Sequence, residues 1–307
     1  MQEHMAYAGC NDVYSQSNDL ISRFLCIEIN SMQVWRVTNT WGEQSVDIIN
    51  PSVAQEVEIS KKEVIYAQLD GAMLLTREDK WKETKTGRVF KQSDILTLSE
   101  KRKELKASLY VSHLGGHEEF LEKFEPIVDV FDELKERLVI LSDGAVWIRN
   151  WSKESYPNAT HILDYYHVCE HLNQFLDFYE PLFDDKVKTL NNWKDLLLTK
   201  GAASIIEILE KITSSKKTVE QQRDKLLNYL KVNEFRLNYP QYIARGLCIG
   251  SGAIESAQRT VIQSRMKKSG QRWSSDKAQN MLNLRVAKLS DKWENVILKN
   301  TNYSKAA

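Results

Sequence analysis

The chain is poor in cysteine. Only Cys10, Cys26, Cys169 and Cys248 occur in 307 residues, and no two of them stand in a CxxC spacing. This argues against a zinc ribbon and against a secreted disulfide framework, both of which need paired cysteines; reduced, mostly buried thiols are expected. Long apolar runs are also missing, since none approaches the roughly 20 residues needed to span a bilayer. The start Met1-Gln2-Glu3-His4 lacks the basic residues and apolar segment of a signal peptide. No membrane association and a cytoplasmic location are expected. Net charge is absent too, because 42 Lys and Arg balance 42 Asp and Glu, so bulk attraction gives no hint of a nucleic-acid partner.

What is present is uneven. Hydrophobic residues make up 42% of the chain, enough for a sizeable core and two or three folding units. Up to Ser60 the only Lys or Arg residues are Arg23 and Arg36, so this end is acidic. From Arg245 onward the only acids are Glu255, Asp276, Asp291 and Glu294, against many more bases. That basic end suits a polyanion.

Periodicity divides the chain into four stretches. Residues 1–60 read as a small helical segment: Leu20, Ile21, Phe24 and Leu25 share a helix face within Asp12 to Glu28, and a second helix opens at Ser31. The pair resembles a helix-turn-helix, although a packing hairpin has the same pattern. Asn50-Pro51-Ser52 breaks it, leaving a linker to about Ser60. Residues 61–180 hold a strand from Glu63 to Leu75 interrupted at Asp70-Gly71, a strand around Gly87 to Phe90, and a third from Leu105 to Leu114. A helix bearing Phe120, Phe124, Ile127 and Phe131 follows, then a buried-type strand from Arg137 to Leu141, a helix from Ala145, a strand from Thr160 to Leu163 and a helix from Tyr166 to Tyr179. Residues 181–244 read as an all-helical insertion, and residues 245–307 as a final helix with a basic C-terminal part. The predicted class is α/β, with an RNase H-like mixed five-stranded sheet and flanking helices. In that fold Asp70 and Asp143 fall on neighbouring strands.

Three short segments each set one carboxylate among small residues: Leu69-Asp70-Gly71, Leu141-Ser142-Asp143-Gly144, and Gly250-Ser251-Gly252-Ala253-Ile254-Glu255. Carboxylates from separate elements are what a pair of hard divalent cations requires. Each also has an ordinary structural reading. Asp-Gly is a turn signal, Asp143 suits a helix cap, Glu255 stands four residues before Arg259 for an ion pair, and Gly250-Ser251-Gly252 suits a helix entry. Their joint placement favours chemistry.

These segments, with Ile162-Leu163-Asp164-Tyr165-Tyr166-His167 and the run from Gly250 to Trp273, resemble the DDE transposases of bacterial insertion sequences, in particular the ISKra-type group related to Mutator-like elements. The resemblance covers roughly Tyr14 to Leu289. It implies that Asp70, Asp143 and Glu255 form the acid triad and hold two Mg²⁺ or Mn²⁺ ions, and that the helical stretch before Glu255 is the family's insertion. Asp164 and His167 match an Asp-x-x-His element of the Mutator-like relatives. The activity implied is cleavage at transposon ends and strand transfer into target DNA. The protein would act as a homo-oligomer on DNA and associate with the nucleoid.

The remaining candidates have two readings each. His167 and His171, with Cys169 between them, have a spacing compatible with zinc, but no second ligand pair is evident. His167 otherwise orients a catalytic carboxylate, contacts DNA, or is a hydrogen-bonded core residue. Arg259, Arg265, Lys267, Lys268 and Arg272 follow Glu255 closely enough to grip phosphates, or else form a solvated basic face. Trp273 stacks on a base or anchors the core, the core being favoured. Relatives carry a longer N-terminal region, so a shortened copy is expected. The competing functions are a non-catalytic or domesticated DNA-binding relative and an RNase H-like structure-specific nuclease.

Overall fold

A computed structural model describes residues 1–99, 102–179, 185–250 and 252–306. The N-terminal helices are α1 (Gln2–Asn11), α2 (Tyr14–Leu25), α3 (Ser31–Gln44) and α4 (Pro51–Gln55). Strands β1 (Ile65–Leu75), β2 (Trp81–Lys91), β3 (Ile95–Ser99), β4 (Arg102–Leu105) and β5 (Leu109–Leu114) follow. After α5 (His117–Asp129) come β6 (Leu138–Ser142), α6 (Val146–Ser155), β7 (Thr160–Leu163) and α7 (Tyr165–Tyr179). The next stretch holds α8 (Lys186–Lys200), α9 (Ala202–Lys211), α10 (Lys217–Val232) and α11 (Tyr239–Ala244). The chain closes with α12 (Gly252–Ala257), a π-helical turn (Gln258–Gln263), α13 (Ser264–Met266), α14 (Ser275–Leu289) and α15 (Trp293–Ala306). The protein is α/β with a mixed five-stranded sheet, and β3 and β4 form a separate two-stranded sheet. Among the described residues no helix is long and apolar enough to cross a membrane. The four cysteines are free thiols; Cys10 and Cys169 are buried, Cys248 is partly buried and Cys26 is exposed.

Two compact units emerge. One comprises Met1–Arg137 with Ala253–Ala307, the other Leu138–Gly252.

In the first unit β1 pairs antiparallel with β2, and β2 with β5. β1 runs unbroken through Asp70-Gly71, where a turn was expected, because Gly71 pairs with Lys85 in a continuous register. Gly87 is required on β2: a Cβ there would collide with the Phe124 ring of α5. An apolar cluster joins Leu74 and Tyr110 of the strands to Ile254, Ala257, Val261, Met281 and Leu282, which fastens the C-terminal helices to the meander. The N-terminal helices have their own cluster, built on Met5, Ile21 and Val34. Asn30 opens α3 with a reciprocal capping box, its side chain accepting from the Gln33 N–H while the Gln33 side chain accepts from the Asn30 N–H. The stretch expected as a linker contains α4, since Asn50 caps it and Pro51 occupies its first turn. Helix α1 was not anticipated.

In the second unit β6 and β7 are parallel, with Ser142 opposite Leu163. Both strands are fully buried, as parallel strands covered on both faces are. The insertion is helical throughout its described residues. Trp193 of α8 stacks on Phe175 of α7 at 6.2 Å between ring centroids.

Candidate functional site

The first unit sets Asp70 in the body of a strand. Side chains alternate along β1, so Asp70, Ala72 and Leu74 share one face. Leu74 and Ala72 on that face pack with Ile254 and Ala257 of α12, the helix that carries Glu255. A second tie holds the start of α12 to the same strands. Arg88, opposite Gln68 in the β1–β2 register, donates from Nη1 to the Ala253 carbonyl at 2.6 Å and from Nε to the Ser108 hydroxyl at 2.8 Å. Its guanidinium lies 4.9 Å from the Tyr110 ring centre, and burial lowers its pKa. Asp70 is half-buried, accepting the Gly71 N–H at 2.7 Å. Glu255 is exposed. Ser251, within the expected helix entry, lies outside the described residues; α12 begins at Gly252.

The π-helical turn follows Glu255 directly. Such a turn forfeits regular i to i−4 bonding, and Arg285 of α14 supplies donors to it. Its Nε meets the Val261 carbonyl at 2.5 Å, its Nη2 bonds the Thr260 carbonyl and the Ser264 hydroxyl, and its Nη1 meets the Cys10 carbonyl at 2.7 Å.

The expected phosphate contacts fall into three groups. Arg259, Lys267 and Arg272 are exposed. Lys268 is half-buried and paired with Asp12. Arg265 is different: it is fully buried, donates Nε–H to the Gly9 carbonyl at 2.8 Å, and lies against the Tyr14 and Trp273 rings at 4.8 and 5.2 Å. It is a core cation held by aromatic faces and not part of an exposed basic face. Trp273 is also a core residue, 7% exposed, with its indole N–H on the Met266 carbonyl at 3.0 Å.

The second unit gathers the remaining candidates where β6 and β7 end. Asp164 donates its backbone N–H to the Ser142 carbonyl at 2.8 Å, which continues the parallel pairing and brings the exits toward Asp143 and Asp164 together. Asp143 accepts the Ala145 N–H at 3.0 Å, so its helix-entry reading is real. Asp164 is 2% exposed and caps α7 by accepting the His167 N–H at 2.8 Å. His167 is half-buried, 3.7 Å from Glu170 and edge-on to the His171 ring. Burial, and then His167, lower the His171 pKa.

Residues of the insertion complete this end of the unit, and sequence reasoning missed them. Arg236 is 1% exposed; it holds the Asn233 side-chain oxygen through Nε and Nη2 at 3.0 and 2.7 Å, and donates Nη1–H to the Ser142 hydroxyl at 3.2 Å. Burial pushes its pKa down to about 10, opposed by the nearby Tyr229 and Asp143. Tyr229 lies against Gly144, where a Cβ would come within 2.6 Å of its ring, and 4.3 Å from the His171 ring centre. Burial raises the Tyr229 pKa, with Arg236 opposing and Asp143 and Asp164 adding to the rise. Tyr239 and Tyr242 donate to the Leu163 and His161 carbonyls at 3.0 and 2.9 Å, tying the insertion to β7. Among the described residues no three His, Cys, Asp or Glu side chains are gathered closely enough to hold a metal ion.

The family model of the Uncharacterised protein family UPF0236 matches residues 5–300, and the chain belongs to this family. A comparison with curated proteins found no match.

Proposed function

We propose that the chain is a metal-dependent DNA nuclease and strand transferase of the DDE transposase kind, built on an RNase H-like fold. The observation that carries this reading is in the first unit: the helix bearing Glu255 packs on the same face of β1 as Asp70. In the second unit Asp143 follows the end of a buried parallel strand, the position a catalytic carboxylate occupies in open α/β sheets.

Asp70, Asp143 and Glu255 are the residues that would hold Mg²⁺ or Mn²⁺. Their oxygen donors suit a hard divalent cation, and buried Arg236 offsets negative charge beside Asp143. A bound pair of ions would polarise the scissile phosphate and activate water or a 3′-hydroxyl for in-line attack. The chain's own contribution is positional. Arg88 fixes the start of α12, Arg285 fixes the π-helical turn, and Asp164 fixes the entry to α7. Arg259, Lys267 and Arg272 would contact DNA phosphates as exposed cations. Oligomerisation on paired DNA ends and association with the nucleoid belong to the same proposal.

The absence of a gathered three-donor group among the described residues favours a second reading, a DNA-binding relative that no longer cuts. One assay separates the two. Labelled DNA ends are incubated with Mg²⁺ and either wild type or Asp143→Ala. Strand transfer by wild type and none by the variant supports the transposase; binding with no cutting by either supports the second reading.

A further inference from the structure

Gln258 is the first residue of the π-helical turn and stands three positions after Glu255. It is 4% exposed, and neither its amide nitrogen nor its amide oxygen has a hydrogen-bond partner. A buried amide with both ends unmade is destabilising, and native proteins retain few such groups. The neighbouring polar atoms of this helix behave differently. The Thr260 and Val261 carbonyls are served by Arg285, and the partnerless Nη atoms of Arg265 belong to a guanidinium lying against the Tyr14 and Trp273 rings. No ring contact of this kind compensates Gln258. Residues three apart on a helix are neighbours, within reach of a Gln–carboxylate hydrogen bond, and a π-helical turn is a frequent companion of functional sites.

We infer that Gln258 is a positioning residue for Glu255, its amide kept unpartnered in the metal-free protein and engaged when the carboxylate turns to take up a divalent cation. The nitrogen donates to the Glu255 carboxylate, and the oxygen accepts from water ordered there. This rests on the metal-dependent reading above. It assigns a cost in stability to the metal-free state that cation binding removes.

The test is Gln258→Met, which keeps the length of the side chain and deletes both polar ends. Tm is measured on the full chain without metal and across a Mn²⁺ titration. The expected result is a metal-free Tm above wild type, together with a Mn²⁺ concentration for half-maximal stabilisation about tenfold higher, a shift of about 1.4 kcal/mol in binding. A lower metal-free Tm overturns the inference, because it marks a merely structural residue. An unchanged Mn²⁺ response in the variant overturns it while leaving the metal site standing. A wild type that gives no Mn²⁺ response removes the metal reading itself, and this inference with it.

Discussion

The two units bury arginine in different ways. In the first, Arg285 and Arg265 point at backbone carbonyls and aromatic faces. In the second, Arg236 points at side-chain oxygens, with Asp143 and Tyr229 nearby. A guanidinium on carbonyls holds an irregular backbone in place. One set among side-chain oxygens and acids belongs to a polar network, where charge matters as well as geometry. The first arrangement is the signature of a scaffold and the second that of a site.

The largest effect should fall on activity. Asp143→Ala is expected to lower Mg²⁺-dependent DNA cleavage by roughly 10³-fold, the loss of several kcal/mol of transition-state stabilisation. The urea midpoint should barely move. A large fall in the midpoint instead would make Asp143 part of the scaffold and erase the distinction. Next comes Arg285→Met, which strips donors from the Thr260, Val261 and Cys10 carbonyls. It should destabilise by about 3 kcal/mol in urea unfolding, and an effect below about 1 kcal/mol would mean that the carbonyls find other donors. Arg236→Met leaves the Asn233 and Ser142 oxygens short of a partner and should cost about 2 kcal/mol. Unlike Arg285→Met, it should reduce cleavage by more than its share of unfolded protein; a loss matching that share would place Arg236 with the scaffold.

The smallest effect concerns pH. Burial, with Lys123 3.1 Å from Nδ1, lowers the His113 pKa from 6.5 to about 4, although Glu119 opposes the shift. The unfolded chain therefore binds the proton more readily. His113 contributes full stability above about pH 6.5, loses it as pH falls toward 4, and changes little below that. His113→Gln should flatten this part of the stability profile, as read by thermal melts at closely spaced pH values. An unaltered slope would assign the pH dependence to other groups.

Sequence pattern revealed the main strands because their buried runs are short and strongly apolar. It missed α1, which buries Met5, Ala6, Gly9 and Cys10: small residues allow close helix packing without a strong apolar stripe. Asn50-Pro51 read as a breaker although Asn caps and first-turn prolines also start helices. Asp70 and Asp143 were visible as acids in strand-rich segments. Arg236 was not, because its partner Ser142 lies 94 positions earlier, and local periodicity carries no information about such a pairing. Arg265 misled for the same reason. A charged residue in a basic helix reads as solvated until Tyr14, from the opposite end of the chain, is found against it.

The π-helical turn also has a meaning for insertion and deletion. A helix advances about 100° per residue, and a π turn holds one residue more than an α turn. Deleting one residue between Gln258 and Gln263 would allow regular α-helix to re-form while changing the phase between Glu255 and the buried Arg265 by about a quarter of a turn. The folded core and the acidic side chain would then survive in the same chain yet face in mismatched directions. A lineage could lose its chemistry by a single codon deletion without losing any of its acids.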